Sequence, residues 1–240
     1  MEKVPWDVLE RIAREHMVIG MLVAVTEDIV DYFTDLAKAT DDQEMGGFLL
    51  GDFIEPSKGP TVYLVRFYDY IQVPNMASDP TRHFRFSRES LYEVFDMIES
   101  GRYDCFTTLH THPSDSFFSP GDLHAKYKFN RIFQEIMSSR LPESIIRAVC
   151  FVPAFLVTGG TVGYVLTWTE FPHSVCYYVK GKYVVADSMC SSLSPSRYIR
   201  EILPSRARIE EPLDKDFHKY VDEFFYSIIE IPELEKLMRE

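Results

Sequence analysis

Two of the chain's seven histidines stand one residue apart in "LHTHPSDSFFSPGDLH" (109–124), and an aspartate follows ten residues after the second. On a strand, residues i and i+2 share a face about 7 Å apart, so the imidazoles of His110 and His112 can converge on one ion while Thr111 points away. Asp122 falls in the first turn of a helix announced by Ser119 as N-cap and Pro120 at the first helical position, where the helix dipole favours a carboxylate. Two histidines and one carboxylate leave the fourth position of a tetrahedral ion open, the arrangement of a catalytic zinc rather than a structural one. Each fragment also has a plainer reading, as two surface histidines at a strand end and an ordinary capped helix, and on spacing alone neither reading wins.

A hydrolytic zinc site needs a base to take a proton from water acidified by the metal. Glu44 in "EMGGFLLG" is the candidate, because it enters an apolar strand where a carboxylate is costly unless it is used or hydrated. The competing reading makes it the exposed end of the acidic run "DDQE".

The elements that must position these groups follow from periodicity. Residues 5–16, 27–40 and 87–100 have apolar residues at helical spacing, with Ser87 as N-cap and Gly101 as stop for the last. "MLVAVT" (21–26) reads as a strand, and "GGFLLGDFI" and "TVYLVRFYDYIQV" as a hairpin joined by the turn "EPSKGP". "PNMASDPTRHFRF" reads as a loop, and "YDCFTTLHTH" as the strand that ends in the two histidines. A helix is predicted from Ser119, and strands in "IIRAVCFVP", "TVGYVLTWTE", "VCYYVK" and "KYVVAD". The segment carrying Leu213, Phe217, Val221, Phe224, Ile228 and Ile229 reads as an amphipathic helix, for packing on the core or for a dimer or other partner. The predicted class is α/β, or α+β layered, with a central mixed sheet flanked by helices.

Composition bounds the function. A formal net charge of −12 disfavours nucleic-acid binding, which rests on clustered Lys and Arg. No apolar run approaches the roughly 20 residues needed to span a bilayer, and residues 1–16 lack the apolar stretch of a secretory leader. The expectation is a soluble cytoplasmic protein with no membrane partner. The four cysteines include no C-x-x-C pair, and Cys105 and Cys150 lie in strand-like runs that suit buried free thiols.

"EMGGFLLG", "VPNMASDPTRHF" and "HTHP…SPGD" resemble, in that order, the landmarks of the JAMM/MPN+ zinc metalloprotease family (Mov34/PAD-1, JAB domain), over about residues 21–170. The resemblance is to prokaryotic-type deconjugases of ubiquitin-like proteins. It implies a cytidine-deaminase-like MPN fold over residues 19–189, with an N-terminal helical extension (1–18) and a C-terminal loop and helical extension (190–240). It further implies one zinc per chain on His110, His112 and Asp122, Glu44 as general base toward the zinc-bound water, and Ser119 as the hydroxyl that stabilises the oxyanion. The implied activity is cleavage of ubiquitin-like conjugates or precursors at the modifier's C-terminus, the tail lying as an added strand near Phe48, Asn75 and Phe84. One departure stands out: six residues separate His112 from Ser119 where the family usually has seven, which leaves Ser116 as a second choice for that hydroxyl. The alternatives are an inactive scaffold of the same fold, or another metal hydrolase such as a RadC-type relative.

Overall fold

The computed structural model describes residues 3–39, 42–56, 59–60, 62–81, 83–113, 154–158, 161–168, 173–179, 181–187 and 226–230. Among them are three helices, α1 (Trp6–Glu15), α2 (Glu27–Ala39) and α3 (Arg88–Glu99). The strands are β1 (Met21–Thr26), β2 (Gly46–Ile54), β3 (Tyr63–Val73), β4 (Cys105–His112), β5 (Ala154–Thr158), β6 (Thr161–Trp168), β7 (His173–Val179), β8 (Lys182–Asp187) and β9 (Tyr226–Glu230). They form one mixed sheet in the order β8-β7-β1-β3-β2-β4-β5-β6-β9. The chain is an α/β protein, as its alternation of helical and strand periodicity predicts.

Strand β1 shows why the sheet needs helices on both sides. All six of its residues are buried, and β3 and β7 flank it in parallel. Leu22 and Ala24 enter the apolar cluster formed with Leu9, Ile12 and Ala13 of α1. Met21, Val23 and Val25 enter the larger cluster, which holds Ile29, Val30 and Leu36 of α2 and Val94, Phe95 and Ile98 of α3. Period-2 alternation thus divides one short strand between two cores, as expected for a parallel strand covered on both faces. Helix α3 starts as its sequence indicates, with Ser87 Oγ accepting from the Ser90 amide at 3.0 Å.

One predicted element is corrected. Ile228 and Ile229 lie not on a helix but on β9, which pairs antiparallel with β6 at the sheet edge. Tyr-Ser-Ile-Ile is rich in β-formers, and β6 offers it an edge to pair with; the rest of the predicted C-terminal extension lies outside the described residues. The strand that pairs parallel with β4 is Ala154–Thr158, downstream of "IIRAVCFVP", which also lies outside them. Cys105 and Cys176 are buried free thiols. Among the described residues no helix is long and apolar enough to cross a membrane.

The N-terminal arm is fastened to the sheet by a partly buried charge cluster. Asp52 of β2 accepts from Lys3 Nζ and Arg66 Nη2, both at 3.0 Å, and from Tyr68 Oη at 2.6 Å. Arg66 also donates to the Val4 carbonyl at 2.6 Å and stacks over the Trp6 ring at 3.9 Å. Burial works against the ionised Asp52, but the hydrogen bonds from Tyr68, Lys3 and Arg66 outweigh it and hold its carboxyl below the usual carboxylate value. With a folded value lowered from the ~3.9 of an unfolded aspartate, this stabilisation is complete above about pH 4 and is lost as pH falls through the folded value. Asp52→Asn is therefore expected to cost on the order of 1–3 kcal/mol at pH 7, as for a charged hydrogen-bonded group, and to flatten the loss of stability below pH ~4. Urea melts from pH 7 to pH 2 check both, and equal acid slopes in the two proteins would contradict the assignment.

Candidate metal centre

The site forms where the start of β2 meets the end of β4. The two strands run antiparallel, with Gly46 opposite His110 and Gly47 opposite Leu109. Close approach here depends on the absence of side chains. A Cβ on Gly46 would strike the Leu109 carbonyl and come within 2.9 Å of the Phe84 ring, and one on Gly47 would strike the Ile71 carbonyl of β3. Just ahead of β2, Met45 is clipped to β4 twice: Thr111 N–H donates to the Met45 carbonyl at 2.8 Å, and Met45 N–H donates to Thr111 Oγ1 at 3.0 Å. Glu44 is thereby brought over the two histidines.

Glu44, His110 and His112 are 6%, 9% and 6% exposed, so Glu44 is not the solvated end of the acidic run. One ligand atom from each lies within 4.8 Å of the other two. The Nε2 atoms of His110 and His112 face each other at 3.1 Å, and His112 Nε2 is 3.8 Å from Glu44 Oε1. Two nitrogens bound at ~2.0–2.1 Å to a tetrahedral ion stand about 3.3 Å apart, so the imidazole pair already has the spacing of two ligands of one cation. Two ring nitrogens pointed at each other beside a buried carboxylate are also the donor set that a divalent cation satisfies at once. The described residues fit a metal ion.

The other predicted site residues separate. Ser119 and Asp122 lie outside the described residues, as do Ser116 and His124. Phe48 is not at a substrate groove: it is 1% exposed in the main core, stacked on Phe86 with ring centres 4.5 Å apart and edge-on to Phe106. As the third residue of a strand paired on both sides, it is drawn inward. Asn75 is likewise occupied by the protein itself. Its Nδ2 donates to the carbonyls of Glu44 (2.9 Å) and His83 (2.6 Å), and its Oδ1 accepts from the amides of Ala77 (2.9 Å) and Arg85 (3.1 Å). That set uses both donors and both lone pairs of the amide. Phe84 does reach the site, its ring nearly parallel to that of His110 at 6.2 Å between centres.

Thr111, expected to face away from the two imidazoles, holds Met45 in place through its hydroxyl. The signal available in the sequence is a hydroxyl between the two histidines of a strand, a group that needs a partner if the strand is buried.

No protein-family model matches the chain, and no curated protein does. Among solved structures it is similar to the solution structure of protein DSY2949 from Desulfitobacterium hafniense, with 16% sequence identity and a TM-score of 0.35, over 69% of this chain and 82% of that one. A likeness of that degree assigns neither family nor activity.

Gly46→Ala is expected to cost about 1–3 kcal/mol, as overpacking does where the neighbour is backbone. It should also weaken metal binding, because the displaced Leu109 carbonyl and Phe84 ring both neighbour His110. Denaturant melts and chelator-competition titration read the two effects, and a variant matching the wild type in both would show that the approach of β2 to β4 does not need glycine.

Proposed function

We propose that the chain is a zinc-dependent isopeptidase or peptidase of the JAMM/MPN+ type, with an MPN-type fold, acting in the cytoplasm on ubiquitin-like conjugates or precursors at the modifier's C-terminus. The observation that supports it most is the convergence of Glu44, His110 and His112 in one buried cluster at the adjoining ends of β2 and β4. That order of Glu, then H-x-H, is the one in which the sequence resembles the family.

In this reading His110 and His112, with Asp122, would hold one zinc, and the ion would supply Lewis acidity. Glu44 takes a proton from the attacking water and passes it to the leaving amine. Its burial suits this role, because a carboxylate screened from solvent keeps its proton-transfer partner in a fixed, dry geometry. Ser119 donates its hydroxyl to the oxyanion that develops as water adds. Phe84 and the loop that carries it lie beside the histidines, where an extended tail ending in small residues can approach without a side-chain clash.

The test pairs metal content with cleavage of a ubiquitin-like fusion. Wild type is expected to carry about one zinc per chain, and His112→Ala to lose it. Glu44→Gln should keep the metal and lose at least ~10²-fold in kcat, the scale of removing a general base. A wild type that binds no zinc overturns the reading; zinc without cleavage of any ubiquitin-like fusion favours a non-catalytic scaffold instead.

A further inference from the structure

Glu44 lies ahead of β2, outside the regular ladder that fixes His110 and His112, yet its carboxylate must be held as firmly as they are. The loop after β3 supplies the constraint. Glu44 N–H donates to the Pro80 carbonyl at 2.7 Å, and the Glu44 carbonyl accepts from Asn75 Nδ2 at 2.9 Å. Both main-chain groups of Glu44 therefore hang from one loop. The same Asn75 amide nitrogen donates to the His83 carbonyl at 2.6 Å, and Asn75 Oδ1 gathers the amides of Ala77 and Arg85. A backbone bond from Met76 N–H to the Arg85 carbonyl at 2.9 Å closes the loop at its base. Between the two residues tied by Asn75 sits Phe84, with its ring over His110 and against Gly46.

We infer that Asn75 is a positioning residue: one side-chain amide joins the Glu44 backbone to the loop that sets Phe84 beside His110, and so sets carboxylate and imidazole relative to each other. This deepens the proposed metal-dependent hydrolysis and rests on it for its catalytic meaning, but the positioning itself is a property of the metal-free chain. An amide is needed there, since a carboxylate offers no donor to the two carbonyls and a shorter side chain cannot span them.

Asn75→Asp keeps the shape and the acceptor and removes both donors; Asn75→Ser serves the same test should the aspartate fail to fold. Asp52→Asn, near the far end of β2, is the control for loss of stability alone. In metal-free protein, hydrogen exchange at the Glu44 and Met45 amides is expected to quicken at least ~10-fold in Asn75→Asp beyond any change in Asp52→Asn, as for local opening of a released segment. Zinc affinity by chelator competition should fall ~10–100-fold, the usual effect of losing a group that orients a metal site. In the cleavage assay kcat should drop with KM little changed. Unchanged exchange at Glu44 and Met45, or equal changes in Asp52→Asn, overturns the inference. A wild type that binds no zinc or cleaves nothing bears on the proposed function instead, and the exchange result still decides the role of Asn75.

Discussion

The absence of two side chains, at Gly46 and Gly47, lets the rest of the site exist. Strands in a sheet are spaced by their hydrogen bonds, and side chains stand off its two faces. At these two positions of β2 the carbonyls of Leu109 and Ile71 lie where Cβ atoms would be. Everything metal-related then follows from register: Gly46 opposite His110 sets Met45 beside Thr111 and Glu44 over the imidazoles. A one-residue slip would turn the histidines to the other face. The apolar mass of Phe48, Leu49 and Leu50 just beyond the glycines resists that slip, because these side chains are buried in the main core.

The site is also an instance of rigid groups working beside a borrowed one. His110 and His112 belong to a strand paired on both sides, by β2 and by β5, which fixes their backbone. Glu44 belongs to no ladder and takes its geometry from the loop before α3. The backbone of Glu44 is thus set by the loop, and that of the two histidines by the sheet.

Much of the frame was legible in the sequence because burial periodicity and capping act locally. The bounds of β1 and the Ser87 cap follow from alternation and from a hydroxyl before an apolar helix. The pair of histidines was legible for the same reason, since i and i+2 on a strand must share a face. What escaped depends on contacts between distant residues. Phe48 looked like a groove residue because a one-dimensional reading does not show that its strand is covered by α3 and by Phe86. Asn75 looked available because its four partners, at residues 44, 77, 83 and 85, converge only when the loop closes. Ile228 and Ile229 suit a helical stripe equally well, and the open edge of β6 decides for a strand.

Strand β1 lies between β3, 37 residues after its end, and β7, which begins at His173. During synthesis at 5–20 residues per second, roughly 100 residues separate the end of β3 from β7, so β1 waits about 5–20 s for its second neighbour. Throughout that time a largely apolar strand presents an unpaired edge, the kind of template that other chains can join. The same strand that divides the two cores of the finished protein is thus its most exposed element while the chain is being made. The nascent chain's dependence on chaperones should concentrate there, with two strands between it and the one that carries His110 and His112.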